Sequence, residues 1–220
     1  MPCYDVAMTA DLFPDDRRRL LIDEGACLLG GFALPVADAL LGEIERIAEA
    51  APFRHLVTPG GKTMSVAMTN AGTLGWVSDR RGYRYEQCDP LSDQPWPAMP
   101  PLLRDLARDA AAAGGYGDFA PDACLINRYA PRTRLTLHQD RDEGNYDWPI
   151  VSVSLGLPAT FLWGGKERSS RIRRVALQHG DVVVWGGVSR LNFHGVADLK
   201  PGEHPLTGAL RYNLTFRKAG

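Results

Sequence analysis

The chain has 220 residues, 45% of them hydrophobic, which fits one globular domain with a real core. A formal net charge of −1 excludes a highly basic nucleic-acid coat, although local basic patches can still bind phosphate. Four dispersed cysteines, Cys3, Cys27, Cys88 and Cys124, form no C-x-x-C pair and so argue against a zinc ribbon or redox pair.

The start, Met1-Pro2-Cys3-Tyr4-Asp5, lacks the basic and apolar regions of a signal peptide. The apolar stretch from Ala26 to Leu41 is interrupted by Gly30, Gly31, Pro35 and Asp38, too broken to span a bilayer. No membrane association and a cytoplasmic location are expected, in keeping with the scattered cysteines.

Helical spacing of Leu40, Leu41, Ile44, Ile47 and Ala48 predicts a first helix from Val36 to Ala50, with Pro35 suited to its start. Leu102, Leu103, Leu106 and Ala110 predict a second from Pro101 to Ala113, ended by Gly114-Gly115. Between them, Thr58 to Met99 mixes glycines with Met64, Met68, Trp76, Tyr83, Tyr85 and Trp96 and shows no clear period. That composition suits either an adaptable binding surface or an irregular, Gly-turned hairpin layer over the core.

Eight short strands follow: Ala123–Tyr129, Arg134–His138, Ile150–Gly156, Thr160–Trp163, Arg173–Leu177, Asp181–Trp185, His194–Val196 and Arg211–Arg217. Such a series, turned by Gly, Pro and Asp, predicts a sandwich or barrel, with a double-sheet jelly roll fitting best. Helices first and strands later place the helices on one outer face of a sheet.

Within the strands, Leu137-His138-Gln139-Asp140 carries an H-x-D pair. Period-2 alternation puts His138 and Asp140 on one face. An isolated H-x-D is also what a surface pair looks like. Among five histidines, His179 precedes the turn Gly180-Asp181 and His204 lies in a loop, which leaves His194 as the best third ligand. Two imidazoles and one carboxylate suit the facial triad of non-haem Fe(II).

Arg211 to Arg217 alternates strictly, with Tyr212, Leu214 and Phe216 on one face and Arg211, Asn213, Thr215 and Arg217 on the other. Taken alone this is a half-exposed strand with its polar face in water. Six steps at roughly 3.3 Å also separate the arginine backbones by about 20 Å. With inward-folded side chains the two guanidinium groups can grip both ends of a short dicarboxylate. Asn127 and Tyr129 offer neutral hydrogen bonds from a neighbouring strand, and Ser152 and Ser154 mark another candidate wall.

The segments Leu125–Pro131, Leu137–Asp140, Val151–Pro158, His179–Gly187 and Arg211–Arg217 closely resemble the AlkB family, Fe(II)- and 2-oxoglutarate-dependent dioxygenases that repair alkylated DNA. The resemblance runs from about Thr58 to the C-terminus and includes Thr63–Asn70. It implies an α+β, mainly β fold: a double-stranded β-helix (jelly roll) with two supporting helices and an N-terminal nucleotide-recognition lid. The expected organisation is one structural domain, with residues 1–57 an N-terminal segment and first helix. Residues 58–99 would form the lid, and 100–220 the second helix and dioxygenase core.

The resemblance further implies Fe(II) on His138, Asp140 and His194, with O2 and 2-oxoglutarate as cosubstrates. Arg211 would hold the distal carboxylate and Arg217 would sit near the 1-carboxylate. Leu125, Asn127, Tyr129, Asn213 and Thr215 would complete that pocket. Trp76 would stack on the damaged base opposite His138, with Tyr83, Met64, Ser65, Met68 and Thr69 lining the lid. Asp142 would face the exocyclic amine and Arg168 would border the pocket.

The implied reaction is demethylation of 1-methyladenine- and 3-methylcytosine-type bases, releasing formaldehyde, succinate and CO2. The implied partner is alkylated DNA, single-stranded or with a flipped base. RNA is a second candidate partner, and a monomer is expected. Arg54, Arg80, Arg81, Arg84, Arg141, Arg168, Arg171, Arg173 and Arg174 are candidate phosphate contacts, of which a minority would touch the strand. Asn192-Phe193 and the stretch Lys166–Arg174 depart from close relatives, which leaves lesion preference and the role of Arg168 open. A related oxygenase acting on RNA or a small molecule would keep both sites and change the lid. A non-catalytic jelly roll would be expected to lack a ligand or an arginine.

Overall fold

The structure is a computed structural model that describes residues 19–220. The expectations drawn from Met1 to Asp5, including Cys3, lie outside the described residues.

Two short strands open the described chain, β1 (Leu20–Asp23) and β2 (Ala26–Leu29). A 3-10 turn over Leu34–Val36 contains Pro35, and helix α1 (Ala37–Ala50) follows, one residue later than expected. Proline fixes a backbone suited to a helix entrance, and here it occupies the 3-10 turn. Leu40, Ile44 and Ile47 form the buried stripe of α1.

Strands β3 (Arg54–Val57), β4 (Thr63–Gly72), β5 (Gly75–Asp79) and β6 (Gly82–Glu86) come next. Helix α2 (Pro101–Gly114) starts with proline at its first position and buries Leu103, Leu106, Ala107, Ala110 and Ala111. It stops at Gly115, whose φ of 98° is left-handed and favours glycine. A Cβ on Gly114 would stand 2.7 Å from Val184, so the close approach of helix to sheet also requires glycine.

The remaining strands are β7 (Ala123–Tyr129), β8 (Leu135–His138), β9 (Ile150–Gly156), β10 (Ala159–Trp163), β11 (Arg173–Leu177), β12 (Val182–Trp185), β13 (His194–Val196) and β14 (Arg211–Arg217). They match the expected series to within a residue at either end. An antiparallel main sheet runs β1-β2-β12-β9-β14-β7-β4-β3, and a smaller one runs β11-β10-β13-β8. β5 and β6 form a separate hairpin.

Period-2 alternation sorts the main sheet into two faces. Cys124, Ile126, Val151, Val153, Val182, Val184, Leu214 and Phe216 pack against the helices. Leu125, Tyr129, Val183, Trp185, Val66 and Met68 face the smaller sheet, with Phe161, Trp163 and Val196. The polar residues of β14 are buried between the sheets, so the half-exposed reading of that strand does not hold. Among the described residues no helix is long and apolar enough to cross a membrane.

The segment expected as a lid is divided. β4 is an integral strand of the main sheet, hydrogen-bonded to both β3 and β7, and only the β5–β6 hairpin stands apart from it.

Candidate metal and cosubstrate site

His138 ends β8 and lies directly opposite His194 of β13 across the antiparallel ladder. This register brings the imidazole centroids to 4.5 Å. Asp140 follows two residues after His138, its carboxylate 3.6 Å from His138 Nε2 and 3.7 Å from His194 Nε2. The three ligand atoms lie within 4.8 Å of one another.

Each imidazole is oriented by a backbone carbonyl. His138 Nδ1 stands 2.8 Å from the Thr136 oxygen, and His194 Nδ1 stands 3.0 Å from the Asn192 oxygen. A carbonyl only accepts, so each Nδ1 carries the hydrogen and each Nε2 keeps a lone pair for a cation. Burial, then the nearby His138, lowers the His194 pKa to about 4, so this ring is neutral at neutral pH. Burial pushes Asp140 upward, but Arg217 and the two imidazoles outweigh it and hold the carboxyl below its ordinary range.

Arg217 donates to Asp140 Oδ2 from Nη2 at 2.7 Å and from Nε at 3.0 Å. Its Nε also lies 3.2 Å from Glu143 Oε1. Glu143 accepts from Arg190 Nη2 at 3.1 Å and from the Tyr85 hydroxyl at 2.7 Å. Arg190 also donates to the Asp140 carbonyl at 2.8 Å. Two buried cations, Arg217 and Arg190, and two buried carboxylates, Asp140 and Glu143, thus neutralise one another, as charges removed from water must. Sequence reasoning missed Glu143, Arg190 and the anchoring role of Tyr85.

Arg211 stands in contrast. It is 1% exposed, donates from Nη2 to Ser154 Oγ at 3.0 Å, and among the described residues has no partner for Nε and Nη1. Its guanidinium lies 4.8 Å from the Tyr129 ring centroid, and the Tyr129 hydroxyl and Asn127 Oδ1 are also buried without a hydrogen-bond partner among the described residues. Burial lowers the Arg211 pKa and raises that of Tyr129 to about 12, so one stays a cation and the other a neutral donor. A buried guanidinium without an anion is costly, and a carboxylate with bidentate geometry would satisfy it.

The register explains the cluster. Arg211 pairs with Tyr129 on β7, Asn213 with Asn127 on β7 and Ser154 on β9, and Thr215 with Leu125 on β7 and Ser152 on β9. Asn213 donates to Ser152 Oγ at 2.8 Å and accepts from Asn127 at 3.2 Å and from Thr215 at 2.9 Å. All the sequence-predicted cosubstrate residues therefore line one interior wall.

Above it, the hairpin carries Trp76, whose indole N–H donates to Asp142 Oδ2 at 2.8 Å. Asn70 clamps the Trp76 backbone with two bonds of 3.0 Å. Trp76 stacks on Tyr83, with centroids 5.6 Å apart and planes 13° apart. Met64 and Met68 pack with the inter-sheet cluster.

Three expected substrate residues have contacts of their own. Thr69 lies on the opposite face of β4 and donates to the Ala51 carbonyl at 2.6 Å, which removes it from the site. Ser65 donates to the Arg134 carbonyl at 3.1 Å. Arg168 is exposed, its guanidinium 5.0 Å from the Phe193 ring centroid. Several candidate phosphate contacts already have partners: Arg54 pairs with Asp89, Arg81 and Arg84 pair with Asp79, and Arg173 donates to the Ile22 carbonyl.

Comparison with known proteins gives the same reading. The 2OG-Fe(II) oxygenase superfamily matches residues 25–217. Alpha-ketoglutarate-dependent dioxygenase AlkB of Salmonella typhimurium is 57% identical over 210 residues, 95% of this chain and 97% of that protein. Its counterpart in Escherichia coli is 58% identical over 196 residues, 89% and 91% of the two chains. The solved structure of OsALKBH1 superposes with a TM-score of 0.81 at 29% identity, covering 91% of this chain and 99% of that one. A triad fit for iron, a buried arginine awaiting an anion and this degree of likeness place the chain in the AlkB family of Fe(II)- and 2-oxoglutarate-dependent dioxygenases.

Proposed function

We propose that the protein oxidatively removes methyl groups from N-alkylated bases of DNA, of the 1-methyladenine and 3-methylcytosine type. The observation that carries this reading is the Trp76–Tyr83 stack with Asp142 at its edge, joined to the triad through the short His138–Asp142 segment. Such an aromatic and carboxylate pair suits a flat heterocycle bearing an exocyclic amine.

When bound, Fe(II) and 2-oxoglutarate supply the oxidation of the methyl carbon by O2, with succinate, CO2 and formaldehyde as products. His138, Asp140 and His194 would present two ring nitrogens and one carboxylate to the metal. Arg211, with the Tyr129 hydroxyl and Asn127, holds the distal carboxylate of the cosubstrate. Arg217 keeps Asp140 ionised and offers charge to the 1-carboxylate, while Leu125, Asn213 and Thr215 shape the wall between. Trp76 and Tyr83 supply the stacking surface, Met64 and Met68 apolar walls, and Asp142 an acceptor for the amine. Ser65 and Arg168 border the entrance.

A methyl on the pairing edge is hidden in a duplex, so the base must be flipped or come from a single strand. These lesions pair badly, which lowers the flipping cost. Residues 58–99 act as the nucleotide-recognition part of one domain, β4 giving it a fixed base and the hairpin the contact surface. The protein acts as a monomer in the cytoplasm, where free Cys27, Cys88 and Cys124 suit a reducing medium.

The test is formaldehyde release from a methylated single-stranded DNA oligonucleotide, with none from His138→Ala. Turnover confined to RNA or to small molecules would sink the DNA assignment.

A further inference from the structure

Beside the triad, on the outer side of the His138–Asp140 segment, lies a groove of about 700 Å³ that the site described above does not use. Gln139, Tyr146, Asp147, Lys166, Val188 and Leu191 line it. Its volume is within the range of about 300–1,000 Å³ typical of small-ligand sites. Two chain contacts tie its lining to the segments that carry the ligands. Gln139 follows His138 directly and donates from Nε2 to the Leu191 carbonyl at 2.6 Å. The loop carrying Lys166 is bonded to Phe193, next to His194, through Gly164 N–H to Phe193 O and Phe193 N–H to Gly165 O, each at 2.8 Å.

Tyr146 is the main aromatic surface of the groove. It is 39% exposed, yet its position is defined. The hydroxyl donates to the Arg141 carbonyl at 2.8 Å, and the ring lies 5.4 Å from the buried Arg190 guanidinium. Arg190 is itself tied to Glu143, Asp140 and Trp148. A ring held this way loses little freedom when something stacks on it. Exposed Lys166 gives the groove a cation for a phosphate, and Asp147 gives it an acceptor for a base N–H.

We propose that this groove is a second nucleotide subsite, in which Tyr146 stacks the base next to the lesion and Lys166 meets its phosphate. The inference rests on the proposed action on single-stranded nucleic acid. An aromatic face beside a cation is how sequence-tolerant single-strand binders hold successive bases. Because the groove adjoins the residues that flank His138 and His194, its occupant is the rest of the strand whose target base sits over the triad.

The experiment compares three DNA trinucleotides with a central 3-methylcytosine: one with thymine on both sides, and two with an abasic spacer on the 5′ or the 3′ side. Formaldehyde release gives kcat/KM, and fluorescence anisotropy of dye-labelled trinucleotides on the metal-free protein gives affinity. The wild type should lose on the order of tenfold in both when one particular flank is abasic. Tyr146→Ala should lose as much on the intact trinucleotide and become indifferent to that spacer, whereas Tyr146→Phe, which keeps the ring, should retain the preference. Lys166→Gln should flatten the salt dependence of binding by about 0.7 in log–log slope.

A wild type that turns over all three equally, or a flank preference that survives Tyr146→Ala unchanged, overturns the subsite and leaves the demethylase reading intact. No formaldehyde from any trinucleotide or from longer methylated DNA overturns both.

Discussion

The Tyr85 hydroxyl on β6 donates to the Glu143 carboxylate at 2.7 Å, so the β5–β6 hairpin is bonded to the charge network that includes Asp140. Glu143 in turn meets Arg217, which holds Asp140. Hairpin position and ligand position therefore share one chain of contacts. Tyr85→Phe removes a hydrogen bond to a charged acceptor, expected to cost about 1.5–3 kcal/mol. Urea unfolding followed by far-UV circular dichroism measures it. Glu143→Ala leaves Arg190 buried without its counter-ion and should cost about 3–5 kcal/mol. If both variants are as stable as the wild type, the network is not holding the hairpin.

Arg211→Met should separate folding from cosubstrate binding. Among the described residues the buried guanidinium has no anionic partner, so an apolar side chain of similar length should not lower the thermal midpoint. If Arg211 has the proposed role, the variant should raise the 2-oxoglutarate KM by roughly 30-fold or more, on the order of 2–5 kcal/mol. Thermal shift with and without 2-oxoglutarate, in the presence of Mn(II), reads both effects. A large loss of stability in the ligand-free variant would show that Arg211 is structural.

The strands were legible in outline and the site only in part, for physical reasons. β14 announces itself by alternation, but whether its polar face meets water or a second sheet depends on β8, β10 and β13, which are remote in sequence. β4 is buried on both faces and mixes small residues with methionines, so no alternation marks it as a strand. Thr69 and Met68 are neighbours, yet only Met68 faces between the sheets. Glu143 and Arg190 resemble ordinary surface charges in the chain, and nothing local says that they meet. His138, Asp140 and His194 were readable because metal ligation constrains residue type and because the first two stand two residues apart, with Asp140 just beyond the end of β8.

Acid should destabilise the metal-free protein through His194. Its folded pKa is about 4, below the ordinary value of about 6.5, so the unfolded chain binds more protons between those limits. The stabilisation is complete above pH 6.5 and is lost as pH falls toward 4, by roughly 3 kcal/mol in all. Urea midpoints measured from pH 7 to pH 4 should fall, and His194→Asn should flatten the curve in that window. A midpoint that falls equally in wild type and variant would reject this assignment.

Asp142 should set both hairpin position and base affinity. Asp142→Ala removes the acceptor of the Trp76 indole N–H, 2.8 Å away. The expected result is a KM for methylated oligonucleotide raised about tenfold, in line with about 1.4 kcal/mol, and a red-shifted Trp76 emission. An unchanged KM would mean that Asp142 serves the hairpin alone.

Leu103 is fully buried where α2 meets the sheet. Leu103→Ala should cost about 2–5 kcal/mol of stability while leaving kcat at low temperature within about twofold. A kcat that falls with stability would mean that the helix layer shapes the site.

β14 sits between β7 and β9 and is hydrogen-bonded along both edges. A slip of one residue would turn Arg211, Asn213, Thr215 and Arg217 into the helix layer and send Leu214 and Phe216 to the face between the sheets. Such a chain would bury two cations among Leu103, Ile126 and Val153, a state too costly to persist. The arginines that look like a burden on the fold thus act as its proofreaders, since a mispaired strand cannot survive as a stable but inactive enzyme.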